Sequence, residues 1–211
     1  MRRHFLFLAL GVATALAACG PSTPSSPNPP AAGDPLHCSA QVEHAANEGA
    51  AHWPIGTSLT YHHNPPTSGP HWFIDPLGRH EWGVFSSVVV PREAWVHNLE
   101  HGGIVFLFNC GLVDGGACAS ADGGYDTPCG GDLGVPAASC PDVTTQLTQL
   151  RDELKPDQFN EVRVLVTADP FLPGRVAAVA WDYSWVGSAV DMSVLRCFRD
   201  ARYGRGPESA P

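Results

Sequence analysis

Residues 91–108 read PREAWVHNLEHGGIVFLF, and this stretch decides the fold. Pro91 suits the first turn of a helix, because its fixed φ fits there and its missing N–H is not needed. The helix is expected to run to about His101, where Gly102 and Gly103 stop it. Residues 104–108, IVFLF, are a short apolar run bounded by turn signals, which reads as a buried strand. A helix that passes through two glycines into a buried strand packs as one layer on another.

The flanking segments extend the same pattern. Residues 38–52 are expected to form a short helix ending at Gly49, and 53–80, rich in Pro, His, Gly and aromatics, an ordered loop. Residues 83–90 (GVFSSVVV) read as a strand because β-branched residues dominate. Residues 142–155 give the clearest helix: Asp142 is placed to cap it, and Val143, Leu147, Leu150 and Leu154 share a face. Strands are expected at 161–167 and 175–181, joined through Asp169-Pro170 and Pro173-Gly174, with a last helix at about 191–202. The fold class expected is α+β: a small mixed sheet with packed helices and long disulfide-pinned loops.

Composition bounds the function. The chain has 211 residues, 22 Gly, 20 Pro and only 16% charged residues, which fits one loop-rich domain rather than a helical bundle or coiled coil. Its formal net charge is −9. An acidic chain without a basic stripe is not built for nucleic acid, whose phosphates are held by Lys and Arg. Cationic ligands such as metal ions suit it better.

The first 19 residues, MRRHFLFLALGVATALAAC, place two arginines before an apolar run of signal-peptide length that ends in small residues. Leu16-Ala17-Ala18-Cys19 resembles the bacterial lipobox. That resemblance implies cleavage before Cys19 and lipid on its thiol; the alternative is a plain secretory signal. Residues 1–18 are thus expected to be a lipoprotein signal peptide, and 19–37 a lipid-anchored Pro/Ser-rich linker that keeps extended. Residues 38–211 form a single α+β domain, with 109–141 a Cys/Gly-rich loop insertion. The partner expected is a membrane, through the anchor, and the location is exported, facing periplasm or exterior. No protein partner is named by the sequence.

Six cysteines remain after Cys19, an even number that fits disulfides in an exported chain. Cys110, Cys118, Cys129 and Cys140 are expected to pair among themselves, and Cys38 with Cys197. The rival, a four-thiolate zinc site, lacks the two-residue spacing typical of such sites. Asp114, Asp122, Asp126 and Asp132 match no calcium loop and read as solvated turns.

Histidine carries the chemistry. Of the 10 histidines, eight fall in the span from His44 to His101 inclusive. His97 and His101 are four apart, so on a helix both rings share a face, a common way to hold one ion. HNLEH also matches the H-x-x-E-H pattern in which two His bind zinc and Glu, here Glu100, activates water. In PPTSGPH (65–71) the prolines stiffen the chain and Gly69 permits a positive φ, so the loop can present His71 at low entropic cost. The proposed site uses His71, His97 and His101, with His52 or His62 as a fourth ligand. Imidazoles without thiolate suit zinc or copper(II). The plain alternative leaves each His separately hydrogen-bonded. Trp53, Tyr61, Trp72, Phe73, Trp82 and Trp95 cluster in the same span and are expected to be core.

Tyr61 followed by NPPTSGPH, then Gly83, then VHNLEHGG running into an apolar strand resembles the domain of unknown function 3105 family. The resemblance extends over roughly 50–208, including a VLVTADP strand and a Pro207-Glu208 tail. It implies a shared site at His52, His71, His97, His101 and Glu100, and no defined activity. This chain departs from the family at 109–141, where a short connection is usual. Three functions stay open: a single zinc or copper ion bound for binding or sequestration, a zinc-dependent hydrolase with Glu100 as base, and a structural envelope lipoprotein without metal.

Overall fold

The computed structural model describes residues 35–74, 76–111 and 140–208. The expected signal peptide, Cys19, nearly all of the linker, Cys118, Cys129, Asp114, Asp122, Asp126, Asp132 and most of 109–141 lie outside them.

Among the described residues, six strands form one mixed sheet: β1 (Val42–His44), β4 (Gly83–Phe85), β5 (Ile104–Phe108), β6 (Val164–Ala168), β7 (Val176–Ala180) and β8 (Tyr183–Gly187). Their order is β1-β8-β7-β5-β6-β4. β4 and β5 run parallel to β6, and the other pairings are antiparallel. A parallel pair needs a crossover, and α1 (Arg92–Glu100) supplies the one between β4 and β5. α2 (Pro141–Asp152) and α3 (Met192–Arg202) follow. The α+β expectation is borne out.

Both faces of the sheet are covered, so β5 is apolar throughout rather than alternating. Ile104, Phe106 and Phe108 face α2 and α3, packed with Leu147, Leu150, Leu195 and Phe198. Val105 and Leu107 face α1, packed with Trp95, Val96 and Leu99. α2 buries Val143, Leu147 and Leu150 as its spacing predicts. Its N-cap is Cys140 with no side-chain cap bond, so Asp142 sits in the first turn and does not cap. Asp191 does cap α3, accepting from the amides of Ser193 and Val194 at 3.0 and 3.1 Å.

Four sequence expectations change. The 38–52 helix is absent: Val42–His44 is an edge strand on β8, and the backbone amides or carbonyls of Ala45, Gly49 and Ala51 bond to other segments instead of to each other. Tertiary pairing overrides the local preference of an alanine-rich stretch. The strand at 83–90 stops at Phe85, and the Val90 amide donates to Thr167 Oγ1 at 2.9 Å. β8 was not foreseen; it closes a hairpin with β7 around Asp182, whose φ is 62°. The expected tether also ends early, since Pro35–His37 forms a 3-10 turn with Pro35 buried.

Among the described residues two disulfides are present, Cys38–Cys197 and Cys110–Cys140, with Cα atoms 5.5 and 5.7 Å apart. The first matches the expected pair, and the second excludes Cys110 and Cys140 from a thiolate zinc site. No helix among the described residues is long and apolar enough to cross a membrane.

Phe106 is wholly buried between two helices. Phe106→Ala should cost about 3–5 kcal/mol, read as a lowered midpoint in urea unfolding followed by tryptophan fluorescence.

Candidate metal centre

α1 is buried from Ala94 to Glu100, polar residues included. Trp95, Val96 and Leu99 fill the core against the sheet. The opposite side of the helix carries His97 and Glu100, three apart, and is covered by the 48–80 segment. That cover is anchored at several points. Arg92 donates to Asp169 and to Asn64 Oδ1, the latter at 2.7 Å. Asn98 both accepts from the amide of His80 and donates to its carbonyl.

The cover contains a second, two-stranded parallel sheet of β2 (His52–Trp53) and β3 (His71–Trp72). His52 pairs with His71 in register, which puts both rings on one side of the ribbon. PPTSGPH delivers β3 as a buried, hydrogen-bonded turn. Ser68 Oγ accepts from the Glu48 amide, the Gly69 amide donates to the Gly49 carbonyl, and Tyr61 donates its hydroxyl to the Pro70 carbonyl. Gly69 has φ 119°, and a Cβ there would press to 3.1 Å from the Tyr61 ring, so the expected glycine turn is obligatory.

Three rings meet one carboxylate. The Nε2 atoms of His71, His52 and His97 lie 3.1, 3.3 and 3.7 Å from Glu100 Oε2. Ring centroids of the three histidines are 4.5–4.8 Å apart. The orientation of two rings is fixed from behind. His71 Nδ1 is 2.8 Å from the Gly69 carbonyl and His97 Nδ1 2.9 Å from the Trp72 carbonyl. A carbonyl only accepts, so Nδ1 carries the hydrogen, and Nε2 faces Glu100 as a lone pair when the ring is neutral and as a donor when it is protonated. Backbone carbonyls behind imidazoles are the usual outer support of metal-binding histidines. Four donors about 2.0–2.1 Å from a tetrahedral ion stand about 3.3–3.4 Å apart, close to the Glu100 spacings.

The other sequence candidates fall differently. His101 stands beside this group, its ring 4.9 Å from that of His97, but its Nε2 faces Glu208 Oε2 at 3.7 Å. It belongs to a neighbouring set with Glu100 and Glu208. His62 is exposed and its Nδ1 lies 3.0 Å from Glu48 Oε2, in a separate cluster. Of the aromatics, Trp95 and Tyr61 are core, whereas Trp53 and Phe73 are about half exposed. Phe73 sets its ring 5.8 and 6.2 Å from His52 and His97 and forms a wall of the site. Glu208 was not singled out as a site residue; its only sequence signal is the Pro-Glu tail.

Burial pushes the His97 imidazole down to about 4; the Trp72 carbonyl opposes this, and His71, His101 and His52 add to it. Burial raises the Glu100 carboxyl, but the hydrogen bond with His71 and the charges of His71, His97 and His52 outweigh it, so it lies below the usual carboxylate range.

Residues 52–119 match the model of a family described as Protein of unknown function (DUF3105). Over that segment of the 211-residue chain the sequence is similar to this family. The DUF3105 match takes in His52, His71, His97, Glu100 and His101, while β6 to β8, α3 and Glu208 lie beyond it. No curated protein and no solved structure is matched.

In metal-stripped protein the unfolded chain takes up the His97 proton near pH 6.5, whereas the folded chain resists it to about 4. Stability is therefore complete above pH 6.5 and falls as pH drops toward 4, by roughly 3 kcal/mol. Urea unfolding across this range in chelator should show that loss, and His97→Gln should flatten it.

Proposed function

We propose that this DUF3105 protein is an exported, lipid-anchored envelope protein that holds a zinc or copper(II) ion on His52, His71, His97 and Glu100, for binding or sequestration. The observation that carries the reading is the convergence of three imidazole nitrogens on one buried carboxylate oxygen at 3.1–3.7 Å. Without a cation or shared protons, lone pairs would face lone pairs in a site shielded from water. The donor chemistry, three imidazoles and a carboxylate with no thiolate, suits zinc and copper(II). The disulfides fit an oxidising, extracytoplasmic setting. The lipobox at Leu16–Cys19 and the Pro/Ser-rich stretch after it support a membrane tether, and the acidic balance argues against a nucleic-acid partner.

The hydrolase alternative asks Glu100 to act on a metal-bound water. A base in that role stands one water beyond the ion, whereas Glu100 Oε2 keeps the spacing of a ligand to all three rings. Glu100 is therefore assigned to the coordination set.

Calorimetric titration of protein purified without a histidine tag tests this. Zinc or copper(II) should bind and raise the melting temperature. Ion at 100-fold over Kd stabilises by about 2.7 kcal/mol. His71→Ala should abolish that gain, and Glu100→Gln should weaken binding at least tenfold. Full metal affinity in Glu100→Gln would return Glu100 to the role of a base. A stability indifferent to both ions would leave a structural envelope lipoprotein.

A further inference from the structure

We propose a second cation site, adjoining the first, made by Glu100, His101 and Glu208, so that the Glu100 carboxylate bridges two divalent ions. This rests on the metal reading of His52, His71, His97 and Glu100 and extends it.

One ligand atom from each of the three residues lies within 4.8 Å of the others. His101 Nε2 is 3.7 Å from Glu208 Oε2. Glu100 and His101 are buried, and Glu208 is about half exposed. Glu100 thus belongs to two donor groups at once, one with three imidazoles and one with an imidazole and a further carboxylate. A carboxylate shared in this way is how paired ions are held about 3.5–4 Å apart.

Glu208 does not reach this place by chance. The chain after α3 is laid across the end of α1 by backbone bonds: the Gly204 amide donates to the Gly102 carbonyl at 2.8 Å, and the Glu208 amide to the Glu100 carbonyl at 3.0 Å. Gly206 lies so close that a Cβ would stand 2.1 Å from the Glu100 carbonyl oxygen, so only glycine fits. Arg163 ties the same corner together. Its guanidinium donates to the His101 carbonyl, and its amide to the Tyr203 hydroxyl. The backbone of the bridging residue is therefore fixed by the segment that carries the third ligand.

The two sets differ in chemistry. Two carboxylates and one imidazole form the harder, more negative set, suited to zinc or manganese. Three protein donors leave a position for water or an exogenous anion, whereas the first set supplies four of its own.

The test is zinc stoichiometry by elemental analysis of the full chain, purified without a tag, stripped with chelator, loaded with excess zinc and desalted. The wild type should retain two zinc ions. Glu208→Ala should retain one, with its near-ultraviolet circular dichroism unchanged because Glu208 lies at the surface; His101→Gln should also retain one. One zinc in both wild type and Glu208→Ala would overturn the second site and leave the first standing. Two zinc in Glu208→Ala would overturn it as well. No zinc in the wild type would overturn both readings.

Discussion

Glu100 sits in the last turn of a helix, buried, at the end where the helix dipole is already negative. A carboxylate there is disfavoured by burial and by the dipole together, and it stays ionised only if positive or hydrogen-donating groups surround it. Most of the local architecture answers that demand. Two short strands bring His52 and His71 side by side over the carboxylate, and the helix adds His97. The two short strands are held by bonds to their neighbours rather than by their own periodicity.

The division of labour between the two faces of α1 follows. The sheet-facing side is aliphatic and aromatic and is fixed by packing with β5. The other side is polar and is fixed by directional bonds, several of them to backbone carbonyls at Gly69 and Trp72. A rigid core helix therefore serves as the reference against which the loop-borne rings are aimed.

Much of this was legible in the sequence, for identifiable reasons. PREAWVHNLEHGGIVFLF carried the helix, its glycine stop and the buried strand because each signal is local. His71, His97 and Glu100 stood out through spacing and a proline-stiffened loop. What escaped was nonlocal. The alanine-rich 38–52 stretch looked helical, yet its backbone is bonded to partners at 69, 71 and 182. His101 Nε2 faces Glu208, a residue more than a hundred positions later in the chain. His62, adjacent to His63 in a histidine-rich loop, was indistinguishable by type from a ligand, and only its pairing with Glu48 sets it apart.

The Cys38–Cys197 bridge spans 159 residues and encloses the second bridge, Cys110–Cys140. A proteolytic cut anywhere between 38 and 197 would leave two fragments that migrate as one until reductant is added. A cut between 110 and 140 would meet a double clasp, with every histidine of the candidate centre on one fragment and Glu208 on the other, still covalently joined. Such nested closure lets the chain be nicked without being taken apart.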